Sequence, residues 1–121
     1  MHTTIKSFLF IIRCTPFSAL AKDALDAVLV AAAFHQTISV LFMSDGVYQL
    51  LKNQQPKLLH GRNLSASWQA LPLYDIDRIY LCESSISQRS LQLDQLVMSA
   101  EIISTAEIQN LMRIQQAIFT Y

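Results

Sequence analysis

Short, almost wholly apolar runs alternate in this chain with stretches whose apolar residues recur every three or four positions, and few folds accept that pattern. Ile5 to Ile12 is the first such run, and its lack of clean polar alternation suits a strand buried on both faces. Thr15-Pro16 then breaks the chain. From Phe17 to Phe34, Leu20, Ala24, Ala27, Val28 and Ala31 form a helical stripe, with Lys22, Asp23 and Asp26 mostly off it. Its many alanines suit a helix lying close to a sheet.

The alternation continues to the end of the chain. Thr37 to Met43 predicts a second strand, Ser44-Asp45-Gly46 a turn, and Val47 to Leu51 a short helical stretch. Lys52 to Lys57 is polar and contains a proline, as a surface loop would. Asn63 to Leu71 has helical spacing through Leu64, Trp68 and Leu71. Arg78 to Cys82 predicts a third strand and Glu83 to Ser90 a helix of about two turns. Leu96 to Ala100 reads as a weaker fourth strand. Thr105 to Arg113 is a helix opened by Ser104 or Thr105, with Glu107 in its first turn, and Ala117 to Tyr121 is a last strand.

Strand and helix in alternation predict a single α/β domain over residues 1–121. Its five-stranded sheet should be mostly parallel, with helices on both faces in a flavodoxin-like arrangement. A strand order of 2-1-3-4-5 would make the first and third strands neighbours at the switch point where such folds keep their ligands.

Composition narrows the function. Hydrophobic residues make up 52% of the chain and charged residues 15%, against roughly 25% charged in ordinary domains. A small domain so poor in charge must leave apolar surface exposed, which points to partner subunits. Nine basic residues balance nine acidic ones, so no electrostatic footprint for nucleic acid is present. The longest apolar run, Ala27 to Phe34, falls well short of the ~20 residues of a membrane span. The first strand does not resemble a signal peptide, and a cytoplasmic location is expected.

Two cysteines and three histidines (His2, His35, His60) share no metal-like spacing, so no metal is expected. With Gly46 and Gly61 its only glycines, the chain has no phosphate-cradling loop, and no cofactor is expected. On the expected strand order, Cys82 ends the third strand at the carboxyl edge of the sheet. Cys14 follows the first strand, and both thiols would face one crevice about 10 Å apart. A helix starting at Glu83 would favour the Cys82 thiolate, although a cysteine ending an apolar strand is more often a small buried hydrophobe. Asp45-Gly46 is explained by a turn in which glycine takes a positive φ. Asp75 with Asp77 fits a capped turn better than an acid–base pair. His60 with Arg62 fits a solvated loop better than an anion site.

Several segments in order resemble the TusC/DsrF family of the DsrE-like group. They are Ala24-Leu25-Asp26-Ala27-Val28-Leu29, Phe42 to Leu51 (FMSDGVYQLL), Leu71-Pro72-Leu73-Tyr74-Asp75-Ile76, and Leu81-Cys82. The resemblance implies a subunit of a sulfur-relay complex built with TusB-like and TusD-like sisters, two copies of each. That complex passes sulfur to a downstream acceptor for 2-thiolation of the tRNA wobble uridine. DsrF-like members serve sulfur oxidation instead. It also implies that the accepted carrier is a cysteine of the TusD-like subunit at a position resembling Cys82, which leaves Cys82 a candidate persulfide site. Two departures stand out: Arg89-Ser90-Leu91 where the family has Arg-Gly-Leu, and Arg13-Cys14-Thr15-Pro16 without the usual glycines. Tyr48, Trp68 and Tyr74 suit interface anchors, Trp68 suiting the core equally. A small-ligand module at the switch point is a further alternative.

Overall fold

A computed structural model of the chain describes residues 6–34, 36–52 and 64–121. Five strands form one sheet: β1 (Ser7–Ile12), β2 (Thr37–Phe42), β3 (Arg78–Cys82), β4 (Glu101–Ile103) and β5 (Ala117–Thr120). Four α-helices join them: α1 (Leu20–Ala33), α2 (Leu64–Gln69), α3 (Glu83–Gln88) and α4 (Thr105–Arg113). Three 3-10 segments, Ser44–Leu50, Leu71–Tyr74 and Leu93–Gln95, complete the described elements.

Every strand pairing is parallel, and the order across the sheet is β4-β3-β2-β1-β5. The α/β class is therefore as expected, but the strand order is not 2-1-3-4-5. β2 lies between β1 and β3. The sheet grows in one direction from β1 to β4, and the chain then crosses over to place β5 on the free side of β1. The strands are apolar enough to occupy any central slot, so their composition cannot fix that order.

Alternation along each strand sorts the core into two layers. Phe10, Ile12, Ile38, Val40, Phe42, Ile79 and Leu81 face α1, α2 and the segment Ser44–Leu50. Leu9, Ile11, Leu41, Cys82 and Ile103 face α4 through Ile108 and Leu111. Helices thus lie on both faces, unequally: among the described helices α4 alone covers the second. Ala21 and Ala24 on α1 are fully buried, and their small side chains let that helix approach the sheet closely.

Several boundaries shift for local reasons. Helix α1 begins at Leu20, because Phe17 and Ser18 lie in a turn and the Ser18 hydroxyl accepts the Leu20 N–H at 3.1 Å. The apolar run at Leu96 is not the fourth strand. Leu96 bridges antiparallel to Leu51, and Val97 N–H donates to Leu50 O at 2.8 Å, so this run plugs the core while β4 follows it at Glu101. At α4 the Ser104 and Glu107 side chains cap each other's backbone at 3.2 and 3.1 Å. The readings at His2, His35, His60, Gly61, Arg62 and most of Lys52 to Lys57 lie outside the described residues. No helix of the described residues is long and apolar enough to cross a membrane.

Candidate functional site

The carboxyl ends of the parallel strands bring most of the chemistry-bearing residues to one edge. β1 delivers Cys14, β2 delivers Ser44 and Asp45, and β3 delivers Cys82, which is also the residue preceding α3. With β2 interposed, Cys14 and Cys82 do not share a crevice. They stand two strand spacings apart, about 10 Å, and on opposite faces: Cys14 packs against the α1-side core and Cys82 belongs to the α4-side cluster. The reversal of strand order lies between β1 and β5, which are parallel like the rest. It is therefore Cys14 that stands at the switch point, beside a hollow of about 370 Å³ bordered by Arg13, Ser44, Asp45 and Tyr121.

Cys82 is buried, with 3% of its surface exposed. Burial pushes its thiol pKa up, but hydrogen bonds from the Ser84 and Ser85 hydroxyls and amides outweigh burial and leave the pKa below its usual value. The Ser84 Oγ lies 3.4 Å from Sγ. Cys14 shows the opposite balance: burial raises its pKa, and weaker hydrogen bonds, including one from Gln49, do not reverse the shift. The more acidic thiol is therefore the less accessible one.

Two networks that single-residue reading missed hold this edge together. Gln49 is fully buried; its amide N–H donates to Cys14 O at 3.0 Å, and its Oε1 accepts the Trp68 indole N–H at 3.2 Å. A glutamine set between Val47-Tyr48 and Leu50-Leu51 was the available signal. Arg89 donates to Asp45 Oδ1 at 2.9 and 3.3 Å and to Ser85 O at 3.2 Å, and its guanidinium lies 5.9 Å from the Tyr48 ring centroid. Ser44 N–H donates to Ser85 Oγ at 2.8 Å, so the ends of β2 and β3 are cross-linked twice.

The other sequence candidates separate. Gly46 is needed for close approach rather than for a positive φ, since a Cβ there would run into the Ile12 carbonyl. The positive φ falls on Ser44, at 52°. Asp75 ends the segment Leu71–Tyr74 with φ 63°, as a turn residue. Asp77 lies at the opposite sheet edge, beside a hollow of about 480 Å³ with Arg78, Tyr80 and Glu101. That larger hollow is remote from both thiols. Trp68 is in the core at 0% exposure, packed edge-on to Phe42, while Tyr74 is exposed. Among the described residues, no three His, Cys, Asp or Glu side chains cluster as a metal site would need.

Comparison with known proteins agrees with the fold and the quoted segments. The ychN protein from E. coli superposes with a TM-score of 0.82 at 17% identity, covering 97% of this chain and all of that one. A protein of unknown function from Methanobacterium thermoautotrophicum superposes with a TM-score of 0.68 at 13% identity, over 98% of this chain and 100% of that one. In sequence, a TusC homolog from Vibrio vulnificus is 35% identical over 104 residues, 85% of this chain and 88% of its own. The intracellular sulfur oxidation protein DsrF from Allochromatium vinosum is 34% identical, matching 100% of both chains. The resemblance read from the ordered segments is thus borne out, and the DsrE/DsrF-like pattern itself spans residues 6–121. From β1 through to the strand that closes the far side of the sheet, this chain belongs to the DsrE/DsrF-like family.

Proposed function

We propose that this chain is a non-carrier subunit of a cytoplasmic sulfur-relay complex supporting 2-thiolation of the tRNA wobble uridine. Residues 1–121 act as one domain that helps build the crevice in which a sister subunit's cysteine exchanges sulfur. TusB-like and TusD-like subunits, two copies of each, are the partners the resemblance implies.

The observation that carries the non-carrier role is the burial of Cys82 under α4. A sulfur carrier works by thiolate attack on the terminal sulfur of a donor persulfide; a new S–S bond forms and the donor leaves as its thiolate. That attack needs Sγ open to a second protein. Here Leu9, Ile11, Leu41, Ile103 and Ile108 share a cluster with it. The test is to treat the chain, alone and within the purified complex, with a small-molecule persulfide and to measure intact mass. No gain of one sulfur is expected on this chain. A gain that disappears in Cys82→Ser would overturn the reading.

The lowered thiol pKa favours one second reading, in which Cys82 itself carries sulfur after α4 shifts. The same experiment separates the two. The pathway is tested by deleting the gene: loss of tRNA 2-thiouridine supports the proposal, whereas retained thiolation with impaired sulfur oxidation would place the chain with its DsrF relative.

A further inference from the structure

We propose that β5 is a docking edge that pairs antiparallel with β5 of a second copy of this chain, extending the sheet across a two-fold axis. The proposal rests on edge geometry alone and stands apart from the sulfur-relay reading.

The two edges of the sheet differ. β4 has three residues and carries an exposed charge at Glu101, the kind of edge that resists further pairing. β5, Ala117–Thr120, carries no charge and no proline. Its peptide groups alternate in direction. Tyr121 N–H donates to Ile11 O at 2.9 Å and Tyr121 O accepts from Arg13 N–H at 2.6 Å, so Tyr121 and Phe119 turn their backbone toward β1. Ile118 and Thr120 therefore aim theirs away from the sheet.

The side chains favour an added strand over a partner docked on one face. Ile118 is 39% exposed on the α4 side and Phe119 is 41% exposed on the α1 side. A body resting on one face would cover only one of them. A strand laid along the edge brings side chains to both faces. Among the described strands, β5 itself is the uncharged apolar strand with outward backbone groups, so a second copy supplies a matching edge without charge repulsion.

Of the registers that satisfy the hydrogen-bond parity, one pairs both outward residues within β5. Ile118 opposite Thr120 of the second copy, and the reverse, form the two hydrogen-bonded pairs. Phe119 then meets its own copy on the axis as the non-hydrogen-bonded pair, where side chains come closest. The meeting would extend the aromatic group in which Phe119 stacks on Phe10 at 5.1 Å and meets Phe8 edge-on at 5.8 Å. So short an interface predicts a weak dimer.

Sedimentation equilibrium of the full chain between about 1 and 200 µM tests this. The mass is expected to rise from 13.7 kDa toward twice that value. Thr120→Pro removes an outward N–H and leaves the β1 ladder intact, so it should weaken dimerisation at least tenfold with the circular dichroism spectrum unchanged. Phe119→Lys should do the same, and Thr120→Pro decides if the lysine variant unfolds. A chain monomeric throughout, or a dimer that Thr120→Pro leaves undiminished, would overturn the proposal.

Discussion

Ser90 sits at φ 51°, in the left-handed region that side chains disfavour. The Arg-Gly-Leu that the resemblance led one to expect here would have a physical basis: the backbone after α3 turns where glycine has no steric cost. Ser90→Gly should therefore raise stability by about 0.5–1 kcal/mol, the relief of strain exceeding the entropy glycine adds to the unfolded chain. Urea denaturation reads this as a higher midpoint at unchanged slope. The thiols make a second prediction at this scale. Cys82 has a lowered folded pKa, so its ionisation adds stability above the usual thiol value of 9.0, and that increment is lost as pH falls through the lowered value. Cys14 has a raised folded pKa, so its contribution is full below 9.0 and fades as pH rises through the raised value. From pH 7 to 10, Cys82→Ser should lose stability relative to wild type, and Cys14→Ser should gain it. Parallel curves would refute the assignment.

At the scale of elements, the segment Ser44–Leu50 joins the strand ends, and Gly46 is the point where it crosses β1. Gly46→Ala would drive a methyl group into the Ile12 carbonyl, a backbone atom that cannot move without distorting β1. A loss of about 3 kcal/mol or more is expected on thermal or urea unfolding; a change under about 1 kcal/mol would show the crossing to be looser than described. The sequence marked this position through Asp45-Gly46 but suggested the wrong cause. A turn glycine and a close-approach glycine look alike in one dimension, and only the strand packed beneath separates them. Cys82 gives a similar lesson. Its place at the end of β3 was legible, as the apolar run Arg78 to Cys82 stops there. Its burial was not, because the cover comes from α4, more than twenty residues away.

For the whole molecule, the shortage of charge has a visible counterpart in its surface. Phe17, Leu20, Val30, Phe34, Leu73, Tyr74 and Ile114 are each at least half exposed. Leu73, at 85% exposure, stabilises almost nothing in the isolated chain. Leu73→Ser should change the stability of that chain by less than about 0.5 kcal/mol, yet weaken retention of sister subunits in co-purification if that surface is one of their contacts. Unchanged retention would remove Leu73 from the interface.

What the sequence determined by itself was local. The period of the apolar residues set the element types, Ser104 or Thr105 with Glu107 close behind marked the start of α4, and the ordered segments pointed to the family. Strand order was decided only in three dimensions. Five interchangeable apolar strands carry no address, and the placement of β5 beside β1 follows from which layers α1 and α4 can cover together. That one decision separated Cys14 from Cys82, moved the switch point to the β1–β5 side, and left β5 as an open edge.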